Sequence, residues 1–249
     1  MTLMRSLAGL TAFALLLAAC DGDNGEDGAA VESEATGTTS TSASGDGEAD
    51  GACAEPRPAE DAEPADDAVA ADLDGDSEKD TAWVIPDLEI PRLEAVVGEG
   101  WLGIDLPEGP VIEPAIESVL DIGDDRDTLL VRVGSGAYTE LFSFYGVVDC
   151  ELEALFDAED PEPGPFTLAR GASVQNGADF WCSERDHGTV ITGLSWTTGE
   201  TGEFEWVETT YVRQGATLAV LGEPVEGTAA TEEEIGTGGG GECPAPGPA

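Results

Sequence analysis

The stretch Glu203-Phe204-Glu205-Trp206-Val207-Glu208-Thr209-Thr210-Tyr211-Val212 decides the fold class. Over most of its length an acidic or polar side chain alternates with an apolar or β-branched one. A period of two sends alternate side chains to opposite faces of a strand, so this pattern describes a strand with one wet face. Working outward, short apolar or alternating runs recur at 82–85, 93–97, 101–106, 128–133, 138–145, 150–156, 189–196, 204–212 and 216–221. Gly, Asp, Asn or Pro separates most of them, which is the punctuation of hairpins. Only 112–119 has a helical spacing, and Pro114 inside it limits the prediction to a single turn. The expectation is an all-β fold.

The aromatic residues mark the limits of the folded part. Every Trp, Tyr and Phe except Phe13 lies between Asp72 and Pro224, so a core-forming domain is predicted over 72–225. Residues 20–71 are mostly Asp, Glu, Gly, Ala, Ser and Thr with prolines at 56, 58 and 64, and their acids far outnumber their bases. Too little apolar surface is available there to offset chain entropy, so a disordered, self-repelling acidic tether is expected. Residues 226–249, with Thr231-Glu232-Glu233-Glu234, Gly238 to Gly241 and a Pro-Ala-Pro run, are read as a disordered Gly/Pro-rich tail.

Charge excludes whole classes of partner. The 249 residues hold 53 Asp+Glu against 9 Lys+Arg and one His, a formal net charge of -44. A nucleic acid would meet a repulsive field instead of the basic patch that phosphate contacts require. Adsorption to anionic headgroups is disfavoured for the same reason.

At the N-terminus, Arg5 is followed by an apolar run from Leu7 to Ala19 that ends in Leu17-Ala18-Ala19-Cys20. The run is too short to span about 30 Å of hydrocarbon, and its small residues at 18 and 19 suit a signal peptidase. Residues 1–19 are therefore read as a signal peptide. Leu17-Ala18-Ala19-Cys20 resembles the lipobox of bacterial lipoproteins. That resemblance implies lipid attachment at Cys20, which becomes the new N-terminus, and a location on the outer, extracytoplasmic face of a bacterial membrane. Acyl chains buried at about 0.8 kcal/mol per methylene would provide the membrane contact. An ordinary signal peptide with an incidental cysteine is the plainer alternative.

Aligning the acidic turns reveals a repeat. Asp72-Leu73-Asp74-Gly75-Asp76-Ser77-Glu78-Lys79-Asp80 leads into Thr81-Ala82-Trp83-Val84-Ile85, and Asp121-Ile122-Gly123-Asp124-Asp125-Arg126-Asp127 leads into Thr128-Leu129-Leu130-Val131. A degenerate third copy runs from Cys182 to Gly188 and into Thr189-Val190-Ile191. Their spacing of roughly 50 to 60 residues suits a four-stranded unit, so about three short antiparallel, propeller-blade-like repeats are predicted.

The first copy resembles the calcium loop of FG-GAP/VCBS repeats. The resemblance implies a Ca²⁺ site in which Asp72, Asp74, Asp76 and Asp80 supply carboxylates and Glu78 supplies a main-chain carbonyl. Calcium takes six to eight hard oxygen ligands, which one short acidic turn can provide. Ser77 stands where the family usually has a second glycine, so it must take an unusual backbone angle or the loop must change shape. The second copy lacks the Asp-x-Asp-Gly-Asp frame and receives no ligands. An acidic hairpin turn without a metal is the alternative for the first.

With Cys20 assigned to lipid, Cys53, Cys150, Cys182 and Cys243 remain in an oxidising compartment, and four cysteines allow three pairings. Cys150–Cys182, both inside the predicted domain, is the favoured bridge, which leaves Cys53–Cys243 by elimination. An intermolecular bond competes. His187, in a polar turn, is read as a surface residue.

No Gly-x-Ser-x-Gly, His-Glu-x-x-His or phosphate-binding Gly-x-x-x-x-Gly-Lys motif occurs, so a non-catalytic protein is expected. The leading expectation is a surface-anchored lipoprotein whose calcium-stabilised β-repeat domain binds an extracellular protein or glycan. The alternatives are an envelope spacer with no specific ligand and, least supported, a hydrolase using a pair of acids.

Overall fold

The structure, a computed structural model, describes residues 62–107, 113–136, 138–159, 164–173, 175–185, 188–236 and 242–249. All of them belong to one unit, Glu48–Ala249. The expected signal peptide, Cys20, Cys53 and His187 lie outside the described residues.

Two sheets carry almost all of the regular structure. The first is a four-stranded antiparallel meander, β1 (Val69–Ala71), β2 (Asp80–Ile85), β3 (Arg92–Val97) and β4 (Gly100–Asp105), paired in that order. The second contains β5 (Ala115–Asp121), β6 (Asp127–Ser135), β7 (Thr139–Val148), β8 (Glu151–Ala154), β9 (Phe156–Asp157), β10 (Thr167–Ala172), β11 (Asn176–Arg185), β12 (Gly188–Thr198), β13 (Phe204–Gln214), β14 (Thr217–Val220) and β15 (Val225–Ala229). Its order is β5-β6-β7-β10-β11-β12-β13-β14-β9, with β8 on β7 and β15 on β13. Every pairing is antiparallel except β14 with β9.

The long apolar runs in β6 and β7 are explained by burial on both faces. Leu129, Val131, Tyr145 and Val147 pack with Leu93, Ala95 and Leu102 of the first sheet. Their neighbours Leu130, Phe142 and Phe144 point the other way, into a second cluster with Phe180, Cys182, Ile191 and Leu218. A strand covered on both sides has no wet face and so loses the alternation of a half-exposed one. Phe142 meets Phe180 edge to face at 5.0 Å, and Phe166 meets Tyr211 in the same way at 4.8 Å. A third, smaller cluster holds Leu194, Trp196, Ala229 and Ile235.

The all-β expectation holds, with several corrections of detail. In place of the helical turn expected within 112–119, the described residues of that stretch lead into strand β5, Ala115–Asp121. Its helical spacing has a specific cause. A register shift between Ile116 and Ser118 inserts one residue, so Ile116 opposite Val131 and Val119 opposite Leu129 both face the first cluster although three positions apart. The folded part also extends beyond 72–225 at each end. β1 lies within the expected tether, and residues 226–249 contain most of β15, the short helix α1 (Glu232–Ile235) and a C-terminal segment that pairs with β1. Apolar content is low there because main-chain pairing and capping supply the order. Thr231 accepts the N–H of Glu234 at α1, Glu234 in turn accepts the N–H of Ala230, and Gly236 closes the helix with φ 74°.

The strands after Ala115 form one continuous sheet instead of separate units. The three acidic turns nevertheless occupy similar places, joining β1 to β2, β5 to β6 and β11 to β12.

The predicted disulfides are not those that form. Cys182 bonds to Cys243, and Cys150 is a free thiol. Cys150 follows Asp149 in the tight β7–β8 hairpin, both at positive φ, whereas Cys182 is buried in the second cluster, where Cys243 packs against it. Cys150–Cys182 is thus absent, and Cys243 is not available to Cys53.

Candidate functional site

The 72–80 loop is shaped by its own carboxylates. Asp72 accepts the N–H of Gly75 at Oδ1 (2.9 Å) and of Ser77 at Oδ2 (3.0 Å). Asp74 Oδ1 accepts from Asp76 N at 3.2 Å, and Asp76 Oδ1 from Glu78 N at 2.7 Å. Side-chain acceptors bonded to amides a few residues on are the usual means of closing an Asx turn. Gly75 and Ser77 both adopt left-handed backbone, φ 83° and 71°, so the residue that departs from the glycine pattern does take the unusual angle. Leu73 is fully buried and pins the loop to the first cluster.

Asp80, the first residue of β2, is 8% exposed. Its Oδ2 accepts the N–H of Leu73 at 2.8 Å and its Oδ1 that of Gly98, in the β3–β4 turn, at 3.2 Å. Oxygens of Asp72, Asp74 and Asp80 come within 4.8 Å of one another. Two oxygens bound to one Ca²⁺ at about 2.4 Å can be no more than about 4.8 Å apart, so the hard-oxygen donor set fits that ion. Asp76 stands outside this group of three, as does the exposed Glu78.

Electrostatics disfavour the charged form of two of the three carboxylates. Burial, opposed by the amides of Leu73 and Gly98 and reinforced by the charges of Asp74 and Asp76, pushes the Asp80 carboxyl up to about 6. Burial, reinforced by Asp76 and Asp72 against the amide of Asp76, also raises Asp74. Among the described residues no lysine or arginine forms an ion pair with these three carboxylates. The nearby Lys79 is turned instead to Asp127, at 3.0 Å.

The second acidic turn braces the first. Asp127 Oδ2 accepts the N–H of Asp72 at 2.7 Å, and Asp127 N donates to Asp72 O at 2.6 Å. Asp121 in the same turn is raised, first by burial and then by the charges of Asp127, Asp125, Glu184 and Asp124. Glu184 belongs to β11, and Gly188, which opens β12, lies close enough to Asp121 that a Cβ there would sit 3.3 Å from its carbonyl oxygen. The second acidic turn therefore adjoins both the first and the third.

Arg213 ties this region together, and sequence reading missed it. Its guanidinium is fully buried and donates to Gly215 O (2.9 Å), Asp127 O (3.1 Å), Thr128 Oγ1 (3.2 Å) and Val147 O (3.0 Å), with Asp124 Oδ2 at 3.5 Å. Burial lowers its pKa, against the charge of Asp124. The available signal was a lone arginine inside the strand pattern of an acidic chain.

The tryptophans are used for packing. Trp196 and Trp206 are directly opposite on β12 and β13, flanked by Gly177 and Gly227 on β11 and β15. A Cβ at Gly177 would lie 2.1 Å from the Trp196 ring, and one at Gly227 2.5 Å from the Trp206 ring, so each indole covers a glycine. Trp196 is buried in the third cluster, with Trp181 and Trp206 half-buried against it. Trp101 Nε1 donates to Glu94 Oε2 at 3.1 Å. Ser195, Thr197, Glu205, Val207, Glu226 and Thr228 fall on the opposite face by alternation, and they border a shallow groove of about 520 Å³. Neither this groove nor a smaller cavity of about 360 Å³ beside Arg185 and Leu221 borders the 72–80 loop.

No protein-family model, curated protein or solved structure matches this chain.

Proposed function

We propose that this protein is a lipid-anchored, extracytoplasmic lipoprotein, held at a bacterial membrane through Cys20, whose β domain is stabilised by Ca²⁺ and binds an extracellular protein or glycan without catalysis. The observation that carries the reading is the approach of Asp72, Asp74 and Asp80 within 4.8 Å, with no basic partner among the described residues. Asp72, Asp74 and Asp80 would hold the ion; Asp76 and Glu78, which the family pattern also names, would act from the rim. Bound Ca²⁺ would contribute two positive charges to a region dense in carboxylates. The similar placement of the three acidic turns supports reading the chain as degenerate FG-GAP/VCBS-type repeats.

The test is a thermal melt of the full-length chain with excess Ca²⁺, with Mg²⁺ and with chelator at matched ionic strength. Matching is needed because any salt steadies a protein of charge -44 by screening. A rise of several degrees specific to Ca²⁺, lost in Asp74→Ala and reduced in Asp76→Ala, is the expected result. Equal melts in all three conditions would remove the metal assignment. Cys20→Ala should release the protein from membranes, and unchanged retention would refute the lipid anchor.

A second reading, an envelope spacer with no specific ligand, is favoured by one observation. Trp196 is buried, and Trp181 and Trp206 pack beside it instead of forming an exposed aromatic face.

A further inference from the structure

The last eight residues are Glu242-Cys243-Pro244-Ala245-Pro246-Gly247-Pro248-Ala249. They run as a strap from the second sheet to the first. Cys243 is bonded to Cys182 on β11. The carbonyl of Pro244 accepts the hydroxyl of Ser118, a fully buried side chain on β5. Farther along, Gly247 O accepts the N–H of Ala70 at 3.2 Å, Ala249 N donates to Ala68 O at 3.0 Å, and Pro248 bridges to Val69. The strap therefore covers the edge of β1 that faces away from β2. Prolines at 244, 246 and 248 lack an N–H, which keeps the strap from pairing with a further strand.

Non-covalent contacts hold this segment only weakly. Six of its eight residues are exposed, and Cys243 and Pro246 are half-buried. Three hydrogen bonds and little apolar burial do not offset the entropy lost by ordering eight residues. The disulfide supplies the difference by fixing one end close to its place on β1. β1 in turn leads directly into Asp72, so the strap steadies the strand that enters the acidic loop.

We propose that the Cys182–Cys243 bond is a redox-dependent clasp, whose reduction releases the C-terminal strap from the edge of β1 while the two large clusters stay folded. The reductant is a dithiol. Its thiolate attacks Sγ of Cys243, the more exposed partner, the S–S bond breaks and Cys182 leaves as a thiolate that takes up a proton. The second thiol of the reductant then displaces Cys243 from the mixed disulfide. Two protein thiols form, the dithiol becomes a disulfide, and two electrons and two protons pass to the protein. Release exposes an unpaired strand edge on the first sheet. The inference does not depend on a metal in the 72–80 loop.

The test is hydrogen exchange on the full-length chain, in chelator, before and after treatment with dithiothreitol. A background in which Cys20, Cys53 and Cys150 are all replaced by Ser leaves no third thiol to reshuffle the bond, and mass spectrometry verifies both the starting Cys182–Cys243 link and its reduction. The expected result is at least a tenfold faster exchange over 68–73 and at Ala249, with protection retained over 129–133 and 142–147. Unchanged exchange over 68–73 would overturn the proposal by showing that the strap holds without the bond. Equal loss over 142–147 would also overturn it, since the bond would then be a staple for the whole domain. So would a bond that resists dithiothreitol in the folded chain. Because reduction is performed on folded protein, a failure of Cys243→Ser to fold would not blunt the test.

Discussion

Asp80 makes the stability of the domain depend on pH in a direction opposite to that of most carboxylates. Its pKa is raised from 3.8 to about 6, chiefly by burial, in a side chain on a residue only 8% exposed. The folded state therefore retains a proton at pH values where the unfolded chain has released it. Linkage then gives a contribution that is fully present below about 3.8 and is lost as pH rises through about 6. At 1.36 kcal/mol per pKa unit, the loss is about 3 kcal/mol. Asp74 and Asp121 are raised as well and act in the same sense, so Asp80→Asn is needed to isolate the effect. The variant carries a fixed penalty, because Asn offers one acceptor where Leu73 and Gly98 need two, but that penalty does not vary with pH. Urea unfolding in chelator from pH 4 to 7.5 spans most of this loss and should show the wild type losing about 2 kcal/mol more than the variant. Parallel curves would mean that Asp80 carries no strained charge, and the electrostatic case for a cation at this loop would fall with it.

Three further outcomes are expected. Arg213→Met should destabilise the domain by about 3 to 5 kcal/mol in urea unfolding, because Asp127 O, Thr128 Oγ1 and Val147 O lose their buried donor; a loss below about 1 kcal/mol would show that water replaces the guanidinium. Ser77→Gly should stabilise by about 1 kcal/mol, since the exposed Ser77 sits at φ 71°, and a destabilised variant would contradict the left-handed loop geometry. Gly177→Ala should cost about 2 kcal/mol or more, because its methyl would sit 2.1 Å from the Trp196 ring; an unchanged melting temperature would mean the indole does not lie over that glycine.

Much of the architecture was legible because strand periodicity is a local property. The alternation at 204–212 predicts β13, and the apolar runs at 128–133 and 138–145 predict β6 and β7. β10 and β11 escaped notice. β10 has no fully buried position, and β11 has only Phe180 and Cys182, so neither presents a strong apolar run. The 112–119 stretch misled for a physical reason, since one extra residue at a β-bulge converts a period of two into a spacing of three. At the site, the 72–80 loop was visible as a chain of acids at alternate positions. Which acids converge was not, because Asp72, Asp74 and Asp80 meet through the turn while Asp76 is directed to Glu78 N.

The strand-rich class and the place of the first acidic loop are readable in the sequence, because each follows from neighbours along the chain. Tertiary structure decided the rest. Cys182 meets Cys243 across a separation of 61 residues because β11 and the strap pass close together, and no local pattern encodes that meeting. Arg213 fills a buried pocket of carbonyl oxygens contributed by residues 127, 147 and 215, a set assembled only when β6, β7 and β13 pack. Asp80 acquires its raised pKa from burial, against the lowering effect of the Leu73 and Gly98 amides, and burial belongs to the packed domain, not to the residue.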